Sequence, residues 1–71
     1  MNQQEIPPEK IDSVIALFSN GKIEEAIEEI KSLNEKYPNS PLLFNLLGAC
    51  YTSLQKWKKA EESFRQAIKI K

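Results

Sequence analysis

The chain is 71 residues long, 41% hydrophobic and 28% charged, and its ten cationic and ten anionic side chains cancel. A chain this short makes one small domain and buries only about 60% of the surface its unfolded form exposes, yet its composition is that of a folded protein and not of a disordered one. Zero net charge removes any global attraction to nucleic acid or membrane, and a lone Cys50 excludes an internal disulfide. A reducing compartment follows as the expected setting, with the cytoplasm as the location. No apolar run approaches the ~18 residues that span a bilayer, and no basic segment precedes an apolar one as in a secretory signal.

In chain order, residues 1–6 read as a frayed polar N-terminus. Pro7-Pro8 then suits a first helical turn, where the missing N–H has no partner to lose. Ile11, Val14, Ile15 and Phe18, with Leu17 alongside, recur at three- and four-residue steps and predict one amphipathic helix. Asn20-Gly21 stops it, because both tolerate the left-handed conformation of a helix C-terminus. A second helix follows from Ile23, with Ala26, Ile27, Ile30 and Leu33 inside and Glu24, Glu25, Glu28 and Glu29 outside, and Tyr37-Pro38 ends it.

Ser40-Pro41 restarts the chain with a hydroxyl N-cap and a first-turn proline. Leu42, Leu43, Phe44, Leu46, Leu47, Ala49, Cys50, Tyr51 and Leu54 leave the third helix almost without a polar side, which predicts burial on several faces. The fourth helix carries a stripe of Trp57, Ala60, Phe64, Ala67 and Ile68 and an outer face of Lys58, Lys59, Glu61, Glu62, Arg65 and Lys69. A shift of 34 residues lays Pro7 on Pro41, Ile23 on Trp57, Ala26 on Ala60 and Ile30 on Phe64. The chain is therefore two copies of one helical hairpin, all-α, and short connections make consecutive helices antiparallel neighbours.

Phe44, Leu47, Gly48, Tyr51, Ala60, Phe64 and Ala67 stand at the spacing of the tetratricopeptide repeat, which the sequence resembles over residues 7–71. Gly48, Ala60 and Ala67 are small where helix axes must approach, and Phe44, Tyr51 and Phe64 fill the spaces between. Residues 39–71 form the close match. Residues 7–38 form a degenerate, capping-type copy in which Lys10, Ser13 and Val14 replace the aromatic, Leu and Gly of the pattern. The resemblance implies a short right-handed α-solenoid that binds protein segments and catalyses nothing, with no cofactor.

By position, the resemblance implies a concave groove lined by Ile11, Ile15, Phe18, Leu42, Asn45, Leu46, Ala49, Thr52 and Ser53, with Asn45 able to hydrogen-bond a peptide backbone. Family members that grip the acidic C-termini of chaperones use Lys, Asn and Arg at groove positions held here by Ile11, Ile15, Leu42 and Leu46. A bare apolar wall cannot pair with a carboxylate, so that partner is disfavoured. Carboxylates lie on solvent faces, histidine is absent, and no Gly-rich phosphate loop exists, so no catalytic, metal or nucleotide constellation emerges. Cys50 reads as a small core thiol.

The charge is divided along the chain: residues 1–38 hold four Lys against eight Asp and Glu, a balance of −4, and residues 39–71 hold six Lys and Arg against two Glu, or +4. Glu24, Glu25 and Glu28 face one way, while Lys56, Lys58 and Lys59 surround Trp57 at a helix start where the macrodipole disfavours cations. With Phe64, Ile68 and Ile70 uncovered on the last helix, the expectation is head-to-tail or antiparallel self-association into a homo-oligomer. The alternative to a binding module is a scaffold element, the N-terminal piece of a longer array appended to an enzyme.

Overall fold

The structure is a computed structural model that describes residues 5–70. Four helices follow one another: α1 (Pro8–Ser19), α2 (Ile23–Lys36), α3 (Pro41–Ser53) and α4 (Trp57–Ile70). The described residues form a flat body with Cα extents of 37 × 26 × 14 Å. Each helix packs on the next in sequence, so the chain is two antiparallel hairpins joined through α2 and α3. Of the N-terminal stretch expected to fray, residues 1–4 lie outside the described residues; Ile6 rests half-buried against the core.

The helix starts follow from local chemistry. Pro8 and Pro41 occupy the first turns of α1 and α3, and the Leu43 N–H donates to Ser40 Oγ at 3.4 Å. Glu24 and Glu25 sit in the first turn of α2, where the helix dipole favours them. In α4 that turn carries lysines instead. One of them gains a compensating contact, for Lys59 Nζ lies 5.7 Å from the centroid of the Tyr51 ring.

Both hairpin turns close in the same way. Lys22 N–H donates to Leu17 C=O at 2.9 Å and Gly21 N–H to Phe18 C=O at 3.1 Å, while Lys56 N–H donates to Tyr51 C=O at 2.8 Å and Gln55 N–H to Thr52 C=O at 2.9 Å. This paired return of two amides to the last turn needs one left-handed residue between helices. Gly21 fills that role with φ 79°, and Gln55 fills it in the second hairpin with φ 62°. Asn20 keeps φ −87°, so glycine alone carries the reversal in the first turn.

The core comprises Val14, Ala26, Ile27, Ile30, Leu33, Leu43, Leu47, Cys50, Tyr51 and Ala60.

 Val14 is 1% exposed although it stands where the second hairpin has Gly48, and its counterpart across the hairpin, Ile30, is fully buried where the second hairpin has Phe64. A medium pair thus replaces a small and a large one. The consequence is spacing: α3 and α4 approach far more closely along their length than α1 and α2 do.

Two expectations need correction. The third helix is not buried all round: Leu43, Leu47, Gly48, Cys50 and Tyr51 are buried, but Leu42 is exposed and Phe44 and Leu46 are half-buried, because α2 and α4 cover only part of its circumference. Trp57 and Ile68 do not belong to the buried stripe of α4, being 62% and 73% exposed. That stripe is Ala60, Ser63 and Ala67, all small, and their size is what lets the two backbones come together.

Gly48 is the point of closest approach. A Cβ built there would lie 2.6 Å from Cε1 and Cζ of the Phe64 ring, well inside contact distance. Gly48→Ala should therefore destabilise the chain by about 1 kcal/mol, the ~1–3 kcal/mol of overpacking outweighing the ~1 kcal/mol gained in helix propensity. In a Phe64→Leu background the sign should reverse, and urea unfolding followed by circular dichroism reads both arms of the cycle. Gln55→Gly should raise stability by about 1 kcal/mol, since it relieves a left-handed non-glycine residue at an exposed site; an unchanged urea midpoint would contradict this.

Candidate interaction groove

Helices α1 and α3 present their free sides to the same surface of the molecule. Between them lies a cleft of about 80 Å³ lined by Val14, Ile15 and Phe18 from α1 and Leu46, Ala49 and Cys50 from α3. Every lining side chain is apolar. Val14 and Cys50 belong to the core and form the floor, while Ile15 and Phe18 stay exposed as the walls.

Of the nine expected groove residues, this cleft gathers Ile15, Phe18, Leu46 and Ala49. Leu42, Asn45 and Ser53 are exposed on α3, outside the cleft lining, and Ile11 is half-buried against the core. Thr52 is exposed, but its hydroxyl is committed, since Oγ1 donates to the Gly48 C=O at 2.8 Å. Asn45 is thus the exposed amide on this side of α3, at three residues from Leu42 and four from Ala49, which places all three on one face.

A second, wider depression of about 380 Å³ lies between α3 and α4, lined by Phe44, Leu47, Tyr51, Lys59, Glu62, Ser63 and Gln66. Sequence reasoning did not find it. Its signal was available in part, because Phe44 and Tyr51 are seven residues apart and so share a face of α3, but Ser63 carries no apolar cue to place it in a buried row. The polar inventory holds one further surprise in Asn34 of α2, whose Oδ1 is buried without a hydrogen-bond partner among the described residues.

The charged candidates for self-association stand apart from the cleft. Glu24, Glu25 and Glu28 are exposed on α2, and Lys56, Lys58 and Lys59 are exposed around the start of α4. Glu61 and Arg65 form a salt bridge of 2.8 Å on the outer side of α4. Phe64 and Ile68 are exposed on that helix, and Ile70 is half-buried.

Burial pushes the Cys50 thiol above its ordinary pKa, so at neutral pH it stays protonated and poorly nucleophilic. Among the described residues no group of three or more His, Cys, Asp or Glu is placed to hold a metal ion, and no helix is long and apolar enough to cross a membrane.

Two family models described as tetratricopeptide repeat match the chain, one over residues 14–40 and the other over residues 41–71. The first span opens at Val14, past Lys10 and Ser13, two of the three positions where the first copy departs from the pattern. No curated protein and no solved structure matches the chain. Repeats of this kind are generally protein–protein interaction modules and are typically non-catalytic. With paired helices at the family's spacing and both hairpins matched, the chain belongs to the tetratricopeptide-repeat family and carries two repeats in tandem.

Proposed function

We propose that the chain is a non-catalytic binding module whose α1–α3 cleft holds an extended segment of a protein partner through apolar side chains. The observation that carries this reading is the wholly apolar cleft with exposed walls at Ile15 and Phe18 and exposed Leu42 beside it. An apolar pocket on a rigid helical frame accepts a ligand side chain without reordering itself, which lowers the entropic cost of binding.

Asn45 supplies the complementary polar contact, since its amide can both donate to and accept from a peptide backbone. Specificity would then lie in the spacing of two apolar ligand residues, one in the cleft and one against Leu42. An acidic chaperone C-terminus is a poor fit, because Ile11, Ile15, Leu42 and Leu46 offer its carboxylates no cation. Nucleic acid and membrane are not the partners in this reading, and the free buried thiol of Cys50 suits the reducing cytoplasm.

Selection from a random peptide library tests the reading. Enriched peptides should carry paired apolar residues and few acids. Ile15→Glu and Leu42→Glu, both at exposed positions, should each weaken the selected peptide roughly tenfold or more while leaving the helical circular dichroism unchanged. Asn45→Ala should cost less, about 1 kcal/mol. Peptides that bind both charged variants as tightly as the parent chain would sink the groove.

A further inference from the structure

The repeat carries its own template for what the outer face of α4 requires. A shift of 34 residues lays Ile23, Ile27, Ile30 and Asn34 of α2 onto Trp57, Glu61, Phe64 and Ile68 of α4. In the first repeat α3 follows and packs on α2; there Ile27 and Ile30 are buried, and Ile23 and Asn34 are half-buried. On α4 the equivalent row is bare, with Phe64 37% exposed and Trp57 and Ile68 more exposed still.

These residues fall at seven- and four-residue steps, so they form one continuous stripe beside the small-residue face that meets α3. A second copy could cover the stripe in two ways. Head-to-tail stacking would place α1 of the next copy where α3 sits on α2. The residues of α3 at Leu43, Leu47, Cys50 and Leu54 correspond on α1 to Glu9, Ser13, Ala16 and Asn20, all exposed and mostly polar. Burying Glu9 and Asn20 against Trp57 and Ile68 leaves polar groups unpaired, so that route is closed by desolvation.

The other route uses α4 twice. We propose that the chain forms a closed, two-fold dimer in which the Trp57, Phe64 and Ile68 stripe of α4 packs antiparallel on the same stripe of a second copy. An antiparallel two-fold arrangement is self-complementary here. It sets Trp57 opposite the partner's Ile68 and brings the two Phe64 rings together near the axis. It also sets Glu61 opposite the partner's Arg65, so that the present salt bridge of 2.8 Å expands into a network of four alternating charges. Lys58 and Lys69 meet their counterparts at the two ends, which opposes association and keeps the dimer weak. The proposal uses the repeat alignment and is independent of the α1–α3 cleft.

Sedimentation equilibrium of the 71-residue chain from low micromolar to about millimolar concentration covers the range of a small interface. A monomer–dimer equilibrium without larger species is expected. Ile68→Glu, at a site too exposed to disturb the fold, should weaken it at least roughly tenfold with unchanged circular dichroism. Glu61→Arg should also weaken it, and combining Glu61→Arg with Arg65→Glu should recover most of the loss, which simple removal of an apolar contact would not predict. Ile15→Glu should leave the equilibrium as it is. A monomer throughout, growth beyond the dimer with concentration, or an Ile68→Glu dimer of undiminished affinity would each overturn the proposal.

Discussion

The ring of Phe64 lying on Gly48 is the contact on which the second hairpin is built. Glycine removes the side chain that would hold the axes apart, and Ala60, Ser63 and Ala67 extend the same close seam along α4. Once the seam is fixed, the orientation of α4 is fixed with it. Its small residues point at α3, and its large ones, Trp57 and Ile68, are left a quarter turn away in solvent. The first hairpin solves the same problem with Val14 and Ile30, both buried, and accepts a wider separation. A shared topology therefore rests on two different packings, and only the tight one requires glycine.

Much of the fold was legible in the sequence because its punctuation is local. Pro8, Ser40-Pro41 and Tyr37-Pro38 act through one or two residues, and Gly21 marks its turn by the freedom it lacks a Cβ to lose. The turn at Gln55 was not legible as a left-handed residue, because nothing in a glutamine announces positive φ. It is imposed by the two amides that must return to Tyr51 and Thr52. The repeat alignment placed the turn, but the backbone geometry came from the hydrogen bonds.

The apolar face of each helix was legible in the sequence, but the depth to which it is buried was not. Periodicity assigns Trp57 and Ile68 to the apolar side of α4 correctly, yet it cannot say which part of a broad apolar arc meets a neighbour. Weighting by hydrophobicity favours tryptophan and isoleucine, whereas the close seam selects Ala60 and Ser63 by volume. For α3 the error ran the same way, since counting apolar residues predicts burial without counting the helices available to cover them. Leu42 stays exposed for lack of a neighbour and not for lack of hydrophobicity. Thr52 shows a different limit: expected in the groove by position, it stays outside the cleft lining, and its hydroxyl donates to the Gly48 carbonyl.

Helix α3 links the two surfaces, because it presents Leu46 and Ala49 to the cleft and Gly48 and Tyr51 to the side of α4. The cleft floor is made of core residues, Val14 and Cys50, so its width is set by the same packing that holds the domain together. A chain of this size is marginally stable, and any ligand that binds only the folded form adds to that stability by mass action, about 2.7 kcal/mol at a hundredfold excess over its Kd. Occupying the cleft would therefore stiffen α3 against both neighbours.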